Sequence, residues 1–417
     1  MRANLRFLGL SAILISFAFA SLAGRVQTPA VTIFEGARLI TGDGSAPIEN
    51  SAFLVEGARI TQVGRAGQLK APAAAARVSL AGKTVMPAII DTHTHMPDTR
   101  EALVEALQRK AYYGVSAVMS LGTDPGDLAF KVRDERIPGA ARLLTAGRGI
   151  TMPEPGRTDV PYWVTTTAEA RKAVQELAAR KVDIVKIWVD DRNGKYKKLT
   201  PDLYGAVIDE AHKHGLRVTV HVYYLDDAKG LLKAGIDAFA HGVRDKDVDE
   251  EFMALVKQKP NFVLVPNMPD RGVATDMSWL RDSVPADQFK KLQAAAVDRP
   301  DAQQAFNIQA RNLAKMNAAG VKIAVGTDGN VAWSQHVEME DMVASGMTPQ
   351  QVLVAATKNG AEFLALKDSG TIASGKSADF LVLDANPLDD IKNTRKISDV
   401  YIRGAKVNRA AVKPSLQ

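Results

Sequence analysis

There is no cysteine among the 417 residues. That excludes disulfides, thiolate metal ligands and cysteine nucleophiles together. Any metal site must then use His, Asp, Glu or a modified Lys. Dense Lys/Arg runs are also missing. The net charge of +6 comes from 53 basic and 47 acidic residues spread along the chain. Such spacing reads as a solvated basic surface rather than a nucleic-acid or membrane patch, so neither partner is expected. After the first two dozen residues no apolar run is long enough for a bilayer span. No Gly-x-Gly-x-x-Gly follows a strand where a dinucleotide fold would need it, which argues against an open doubly wound sheet. Low-complexity segments and solenoid repeats are absent too.

The N-terminus has a pattern of its own. Arg2 and Arg6 precede an apolar run from Phe7 to Leu22, and Ala18-Phe-Ala20 and Ser21-Leu-Ala23 both fit a small-residue cleavage site. This is the form of a secretory signal peptide, too short for a membrane anchor and without a lipid-attachment cysteine. Residues 1–23 are expected to be removed, leaving a periplasmic or secreted chain with no membrane attachment.

Hydrophobic residues make up 46% of the chain and charged residues 24%, enough for a large core in a barrel plus a smaller companion. Residues 31–86 read as short strands, such as Val31-Thr-Ile-Phe and Ala52-Phe-Leu-Val, broken by turn clusters such as Thr41-Gly-Asp-Gly. The C-terminal runs Phe380-Leu-Val-Leu and Val400-Tyr-Ile-Arg look alike. Segments 24–86 and 369–417 are therefore predicted to fold together as a small β-sandwich. The middle, 87–368, alternates eight apolar runs with helical patterns. The runs begin at Ala88, Ala117, Arg142, Ile184, Val218, Ala238, Phe262 and Ile323. Thr200-Pro201 and Thr348-Pro349 are helix starts, Gly215 ends the first of these helices and Asn359-Gly360 falls near the end of the second, and Thr166 with Glu169 could form a capping box. Eight buried strands alternating with helices predict an α/β chain built on a (β/α)₈ TIM barrel.

Chemistry in such a barrel sits where the strands end. The first run ends Asp91-Thr-His93-Thr-His95, and side chains two apart on a strand share a face, so both imidazoles could reach one ion. The fourth run carries Lys186, the fifth His221, the sixth His241, and the eighth leads to Asp328. One strand histidine is commonly a packed core residue. Four histidines, a lysine and an aspartate at strand ends are a far more specific set. His212-Lys-His214 is a second His-x-His, but it falls at the end of a helix, where side chains two apart diverge by about 200°. Its positive ends merely suit a helix C-terminus. Lys186, among Ile184, Val185, Ile187 and Trp188, has three readings: paired with a carboxylate such as Asp328, turned out of the barrel, or neutral and carboxylated.

These residues are where the chain resembles the amidohydrolase superfamily. Val85-Met-Pro-Ala-Ile-Ile-Asp-Thr-His-Thr-His resembles the family's first-strand motif, with Ala88 where Gly is usual. Ala324-Val-Gly-Thr-Asp resembles its eighth-strand motif, and Gly370-Thr-Ile-Ala-Ser-Gly-Lys-Ser-Ala-Asp its return into the β domain. The resemblance implies a binuclear centre, most simply of Zn²⁺. His93, His95 and Asp328 would hold one ion and His221 and His241 the other, with carboxylated Lys186 and a hydroxide as bridges. It implies cleavage of a peptide-like C–N bond in a dipeptide, N-acyl amino acid or aryl amide, with Asp328 as proton carrier. Ala111-Tyr-Tyr-Gly-Val-Ser-Ala-Val, Ala238-Phe-Ala-His-Gly and the helix after Gly346 resemble the branch of metal-dependent prolidases and ochratoxin-type amidases. That branch would make Tyr223 a donor to the oxyanion or a substrate carboxylate. His336 is a further candidate for substrate binding, and Arg148, Trp188 and Arg244 for lining the pocket. Gly147-Arg-Gly-Ile-Thr-Met-Pro lacks the branch's His-containing loop, so residues 151–165 are expected to shape a different pocket. Esters, lactones or carbamates are alternative substrates for the same centre. A mononuclear deaminase would want Glu three residues after the fifth-strand His, where Tyr224 stands. Homo-oligomers are common in this family.

Overall fold

The computed structural model describes residues 31–412. The signal-peptide reading lies outside them.

Six strands precede the helical part: β1 (Val31–Glu35), β2 (Arg38–Leu39), β3 (Ser51–Glu56), β4 (Arg59–Arg65), β5 (Ala76–Ser79) and β6 (Thr84–Pro87). The central part holds β7 (Ile89–Thr94), β8 (Val115–Ser120), β9 (Arg142–Thr145), β10 (Ile150–Thr151), β11 (Tyr162–Trp163), β12 (Val185–Val189), β13 (Val218–Val222), β14 (Ala238–Phe239), β15 (Val263–Leu264) and β16 (Lys322–Ile323). The chain closes with β17 (Phe380–Leu383), β18 (Ile397–Ile402) and β19 (Ala405–Lys406).

Both ends of the chain contribute to one sheet. Its order is β19-β18-β17-β6-β2, and a second, four-stranded sheet runs β4-β3-β1-β5. Antiparallel β6 and β17 are in register at Met86 and Leu381. Inward residues of the two sheets share one core, centred on Phe34 and Phe53 from one and Phe380 and Tyr401 from the other. Phe53 meets Phe380 edge-on with ring centroids 5.1 Å apart, a geometry favoured by the aromatic quadrupole.

All eight apolar runs of the middle are strands, in two parallel sheets. One is β7-β8-β9 and the other β11-β10-β12-β13-β14-β15-β16. The arrangement is consistent with a barrel-type domain. Further hydrogen bonds join the two sheets. Asp183 N donates to Thr145 O at 3.0 Å, and Thr92 N donates to Val325 O at 2.9 Å. β10 and β11, two residues each, have no counterpart in the sequence reading. They lie within 147–165, where Ile150 pairs with Ile187 of β12. No helix among the described residues is long and apolar enough to cross a membrane.

The helix punctuation is borne out at Thr166, whose capping box with Glu169 is complete, and at Thr348, which caps through Gln351. Asn359-Gly360 falls near the end of the course that starts at Thr348, three residues before its last residue. There the helical course continues from Pro349–Val354 through a π-turn at Ala355–Asn359 into Gly360–Phe363. A Cβ on Gly360 would come within 3.1 Å of the Ile90 Cβ. The glycine lets this helix press against β7 and does not end it.

Candidate metal centre

The site begins at the end of β7. His93 is fully buried and His95 lies one residue beyond the strand. Opposite them the segment after β16 passes close at Gly326, where a Cβ would meet the His93 Cβ at 2.8 Å, and bends at Asp328-Gly329. Asp328 adopts φ 52°, in the left-handed region, a costly conformation for a non-glycine residue that tends to mark functional sites. The turn sets its carboxylate among three imidazoles. Oδ1 lies 3.1 Å from His93 Nε2 and 3.0 Å from His95 Nε2, and Oδ2 lies 3.3 Å from His241 Nε2. One ligand atom each from His93, His241 and Asp328 fall within 4.8 Å of one another, close enough to share a metal ion.

The two remaining candidates border this cluster. The His221 ring packs against His241 with centroids 4.5 Å apart, but its Nε2 is 2.8 Å from Asp190 Oδ2. With that nitrogen held by a carboxylate, Nδ1 is the atom left for a metal, the usual carboxylate–histidine–metal arrangement. Lys186 on β12 is completely buried, so it does not point out of the fold. Nor is it hydrogen-bonded to Asp328, because its Nζ has no partner. Burial pulls its amine down to about 7, against the opposing pull of Asp328. An orphaned, readily neutral amine beside a histidine–aspartate cluster fits a carbamate-forming lysine, since a carbamate would bring anionic oxygens to an atom that now has no bond.

Electrostatics keep the cluster ready for cations. Burial, followed by the Lys186 charge, lowers His93. Burial, then Arg244, holds His241 well below its ordinary value, and burial brings His221 to about 4. Neutral imidazoles are the ligand form. Burial pushes the Asp328 carboxyl up, but the His93 and His241 rings outweigh it and hold it far below the carboxylate range.

Each candidate histidine is held from behind. His93 Nδ1 is 2.9 Å from Asn267 Oδ1, His95 Nδ1 is 3.0 Å from Thr123 Oγ1, and Arg244 Nη2 is 2.7 Å from His241 Nδ1. Asp91, also fully buried, accepts from Lys110 Nζ at 2.7 Å and from Thr327 Oγ1 at 2.8 Å, fixing β7 to the turn before Asp328. Sequence reasoning missed Asn267, Asp190 and Lys110. The strand-end rule that picked out the histidines would have reached the first two, which directly follow the seventh and fourth apolar runs.

His336 belongs elsewhere. It is buried in the helix Ser334–Ala344, where Nδ1 is 3.0 Å from Thr394 Oγ1 and Nε2 is 3.0 Å from the Tyr113 carbonyl. Both nitrogens are committed away from the metal ligands, so the expectation that His336 binds substrate is corrected to a packing role. Tyr223 is half-buried, edge-on to Tyr224, and its carbonyl accepts from Arg244 N. Arg148 is drawn onto the Tyr162 ring, 3.9 Å away, and donates to the Val160 carbonyl, so it secures the 151–165 segment. Trp188 is buried against Gly149 and Gly122. The decoy pair is peripheral as expected, with His212 on Asp237 at 2.9 Å and His214 3.6 Å from Glu210.

Comparison with known proteins agrees with this geometry. The model of the amidohydrolase family matches residues 84–407. An ochratoxinase from Aspergillus niger is 24% identical over 424 residues, covering 87% of this chain and 83% of that enzyme. An imidazolonepropionase from Cereibacter sphaeroides is 27% identical over 372 residues, covering 82% and 90%. The fold is shared with a Xaa-Pro dipeptidase crystallised with methionine in its active site, at a TM-score of 0.72, 23% identity and coverage of 90% and 99%. With its strand-end histidines and Asp328 gathered as that family's chemistry requires, the chain belongs to the amidohydrolase family and is a metal-dependent hydrolase of carbon–nitrogen bonds.

Proposed function

We propose that the chain hydrolyses a peptide-like amide at a two-ion centre. His93, His95 and Asp328 would hold one ion, His221 and His241 the other, and carboxylated Lys186 would bridge them. The central strands would then form a closed (β/α)₈ barrel spanning 87–368, with the chain ends as its β-sandwich. The orphaned Lys186 Nζ carries this reading. A lysine kept only for packing would find a carboxylate or a water-exposed position, and this one has neither.

Divalent ions there, zinc by its affinity for imidazole and carboxylate, would acidify water and polarise the substrate carbonyl. The protein's own groups do the rest. Asp328, ionised and at the convergence of three imidazoles, takes the proton from the attacking water and delivers it to the departing amine. Tyr223, two residues after the fifth-strand candidate ligand, would donate to the substrate's oxyanion or carboxylate. Asn267 and Thr123 keep the imidazoles oriented while the proton moves.

Elemental analysis of Lys186→Ala tests the bridge. At least one ion per chain is expected to be lost, and full two-ion occupancy would remove Lys186 from the centre. A panel of dipeptides, N-acyl amino acids and aryl amides, run beside ester and lactone analogues, tests the bond. Turnover confined to the esters and lactones would overturn amide cleavage. The leader read in the sequence places the mature enzyme in the periplasm or outside the cell, which N-terminal sequencing of fractionated cells would check.

A further inference from the structure

Behind His221 a line of charged side chains leads from the metal centre into the 151–165 segment. It starts where β12 ends. Asp190 Oδ2 accepts from His221 Nε2 at 2.8 Å and from Arg192 Nη1 at 2.7 Å, and Oδ1 accepts from Arg192 N at 2.9 Å. The backbone bends to allow this. Arg192 and Asn193 have φ of 55° and 58°, and Gly194 follows at 80°. The chain folds back and lays Arg192 on the residue two before it. Left-handed φ at two successive non-glycine residues is strained, and such strain collects at functional sites. Asp191 steadies the same turn, accepting from Gly194 N and from Tyr224 OH, both at 3.0 Å.

Three N–H donors thus surround one carboxylate, and this decides the state of the His221 ring. Arg192 Nη1 also lies 3.1 Å from His221 Nε2, but an unprotonated Nε2 would set its lone pair against the Asp190 oxygen. The proton therefore sits on Nε2, and Nδ1 keeps its lone pair. Asparagine could not replace the acid. An amide has one acceptor oxygen and one donor nitrogen, and either way round its nitrogen would face an N–H.

The line continues past Arg192. Its Nε lies 3.5 Å from Glu154 Oε1, at ion-pair distance, and neither atom has a hydrogen-bond partner. Glu154 is fully buried, and its other oxygen pairs with Arg157. Tyr196 OH donates to the Pro155 carbonyl at 3.1 Å, a second tie between the chain after β12 and the same segment. A buried guanidinium is costly without an anion beside it. Glu154 therefore bears on where Arg192 lies, and Arg192 on where Asp190 lies.

We propose that Asp190 is a positioning residue that fixes the His221 proton on Nε2 and leaves Nδ1 for the metal, and that the Glu154–Arg192 pair couples this histidine to the 151–165 segment. The inference rests on reading His221 as a ligand of the second ion. Neither acid touches the reacting atoms. The segment expected to shape the pocket then also sets how tightly the second ion is held.

Two measurements on the zinc-loaded full chain test it. The first is competition with a chelator, which gives the affinity of each ion. Asp190→Asn is expected to weaken one ion about 10- to 100-fold and to leave the other unchanged. Glu154→Gln is expected to weaken the same ion by a smaller factor. Equal weakening of both ions, as general damage to the fold would give, overturns the positioning role, and so does no weakening at all. Unchanged affinity in Glu154→Gln cuts the segment out of the line. The second measurement is NMR of the chain labelled with ¹⁵N-histidine, with His221 assigned by its loss in His221→Ala. His221 is expected to carry its proton on Nε2, as a downfield, slowly exchanging resonance that moves upfield in Asp190→Asn. A proton on Nδ1 in the unmodified chain refutes the role of Asp190, even where no variant folds. A chain that holds fewer than two ions defeats the two-ion reading, while the position of the ring proton still decides for or against Asp190, so the two ideas fail separately.

Discussion

Asp328 shows how much one residue can be asked to do. It adopts a left-handed φ of 52°, its N–H donates to the His93 carbonyl at 2.8 Å, and its carboxylate meets the three imidazoles at 3.0 to 3.3 Å. Replacing it with Asn keeps the shape and one ligating oxygen, and Asn tolerates the left-handed region well. It removes the ability to carry a proton. Asp328→Asn should therefore keep most of its metal while kcat falls about 10²- to 10⁴-fold, with metal content and rate read on the same sample. An unchanged rate would take the proton from Asp328 and give it to another group. At this scale the sequence was informative where a polar residue interrupts an apolar run, as at His93, His95, Lys186, His221 and His241. It was uninformative where a residue has an ordinary alternative use. Asp190 and Asn267 follow strands, as Asp and Asn commonly do in turns. His336 looked like a loop residue after the eighth strand, because nothing along the chain reveals that the Tyr113 carbonyl and Thr394 wait on either side of its ring.

Among the elements, β7 matters most, and it is fixed on two sides. Gly360 lets the helical segment behind it approach, and the buried Lys110–Asp91 pair ties it to the helix Arg100–Tyr112. Both partners of that pair are fully buried. Lys110→Met would leave the Asp91 carboxylate without its cation, and breaking a buried pair from one side costs about 3–5 kcal/mol. Urea denaturation should show a loss of that size, partly recovered when Asp91→Asn is added. A loss no larger than that of an exposed pair would mean that water reaches Asp91 and that the pair does not anchor β7. Element types were legible because strand and helix periods differ strongly over five or more residues. Two-residue β10 and β11 have no period to detect. Lys110 sits in Gln108-Arg-Lys-Ala, which reads as an ordinary solvated helix face until the partner from β7 is in view.

For the whole molecule, the chain ends meet in an aromatic core. Phe34 and Phe53 from one sheet pack on Phe380 and Tyr401 from the other. Phe380→Ala should cost about 3–5 kcal/mol, visible as a lowered Tm. If Tm is unchanged, the β-sandwich is not part of the cooperative unit. That strands from both ends come together in one sheet was readable from matching strand-and-turn composition. The order in which their strands interleave was not, since only the ladder between Met86 and Leu381 sets it. That ladder also has a consequence in time. β6 leads through Ala88 into β7, the strand that runs to His93 and His95, so the first candidate ligands continue from a strand one of whose neighbours, β17, is made near the end. During synthesis β6 can pair early with β2, but it must wait for nearly all the remaining chain before it can pair with β17. Contacts this distant along the chain are closed slowly and late. The enzyme should thus acquire its metal only near the end of folding, once its own tail has returned to its beginning.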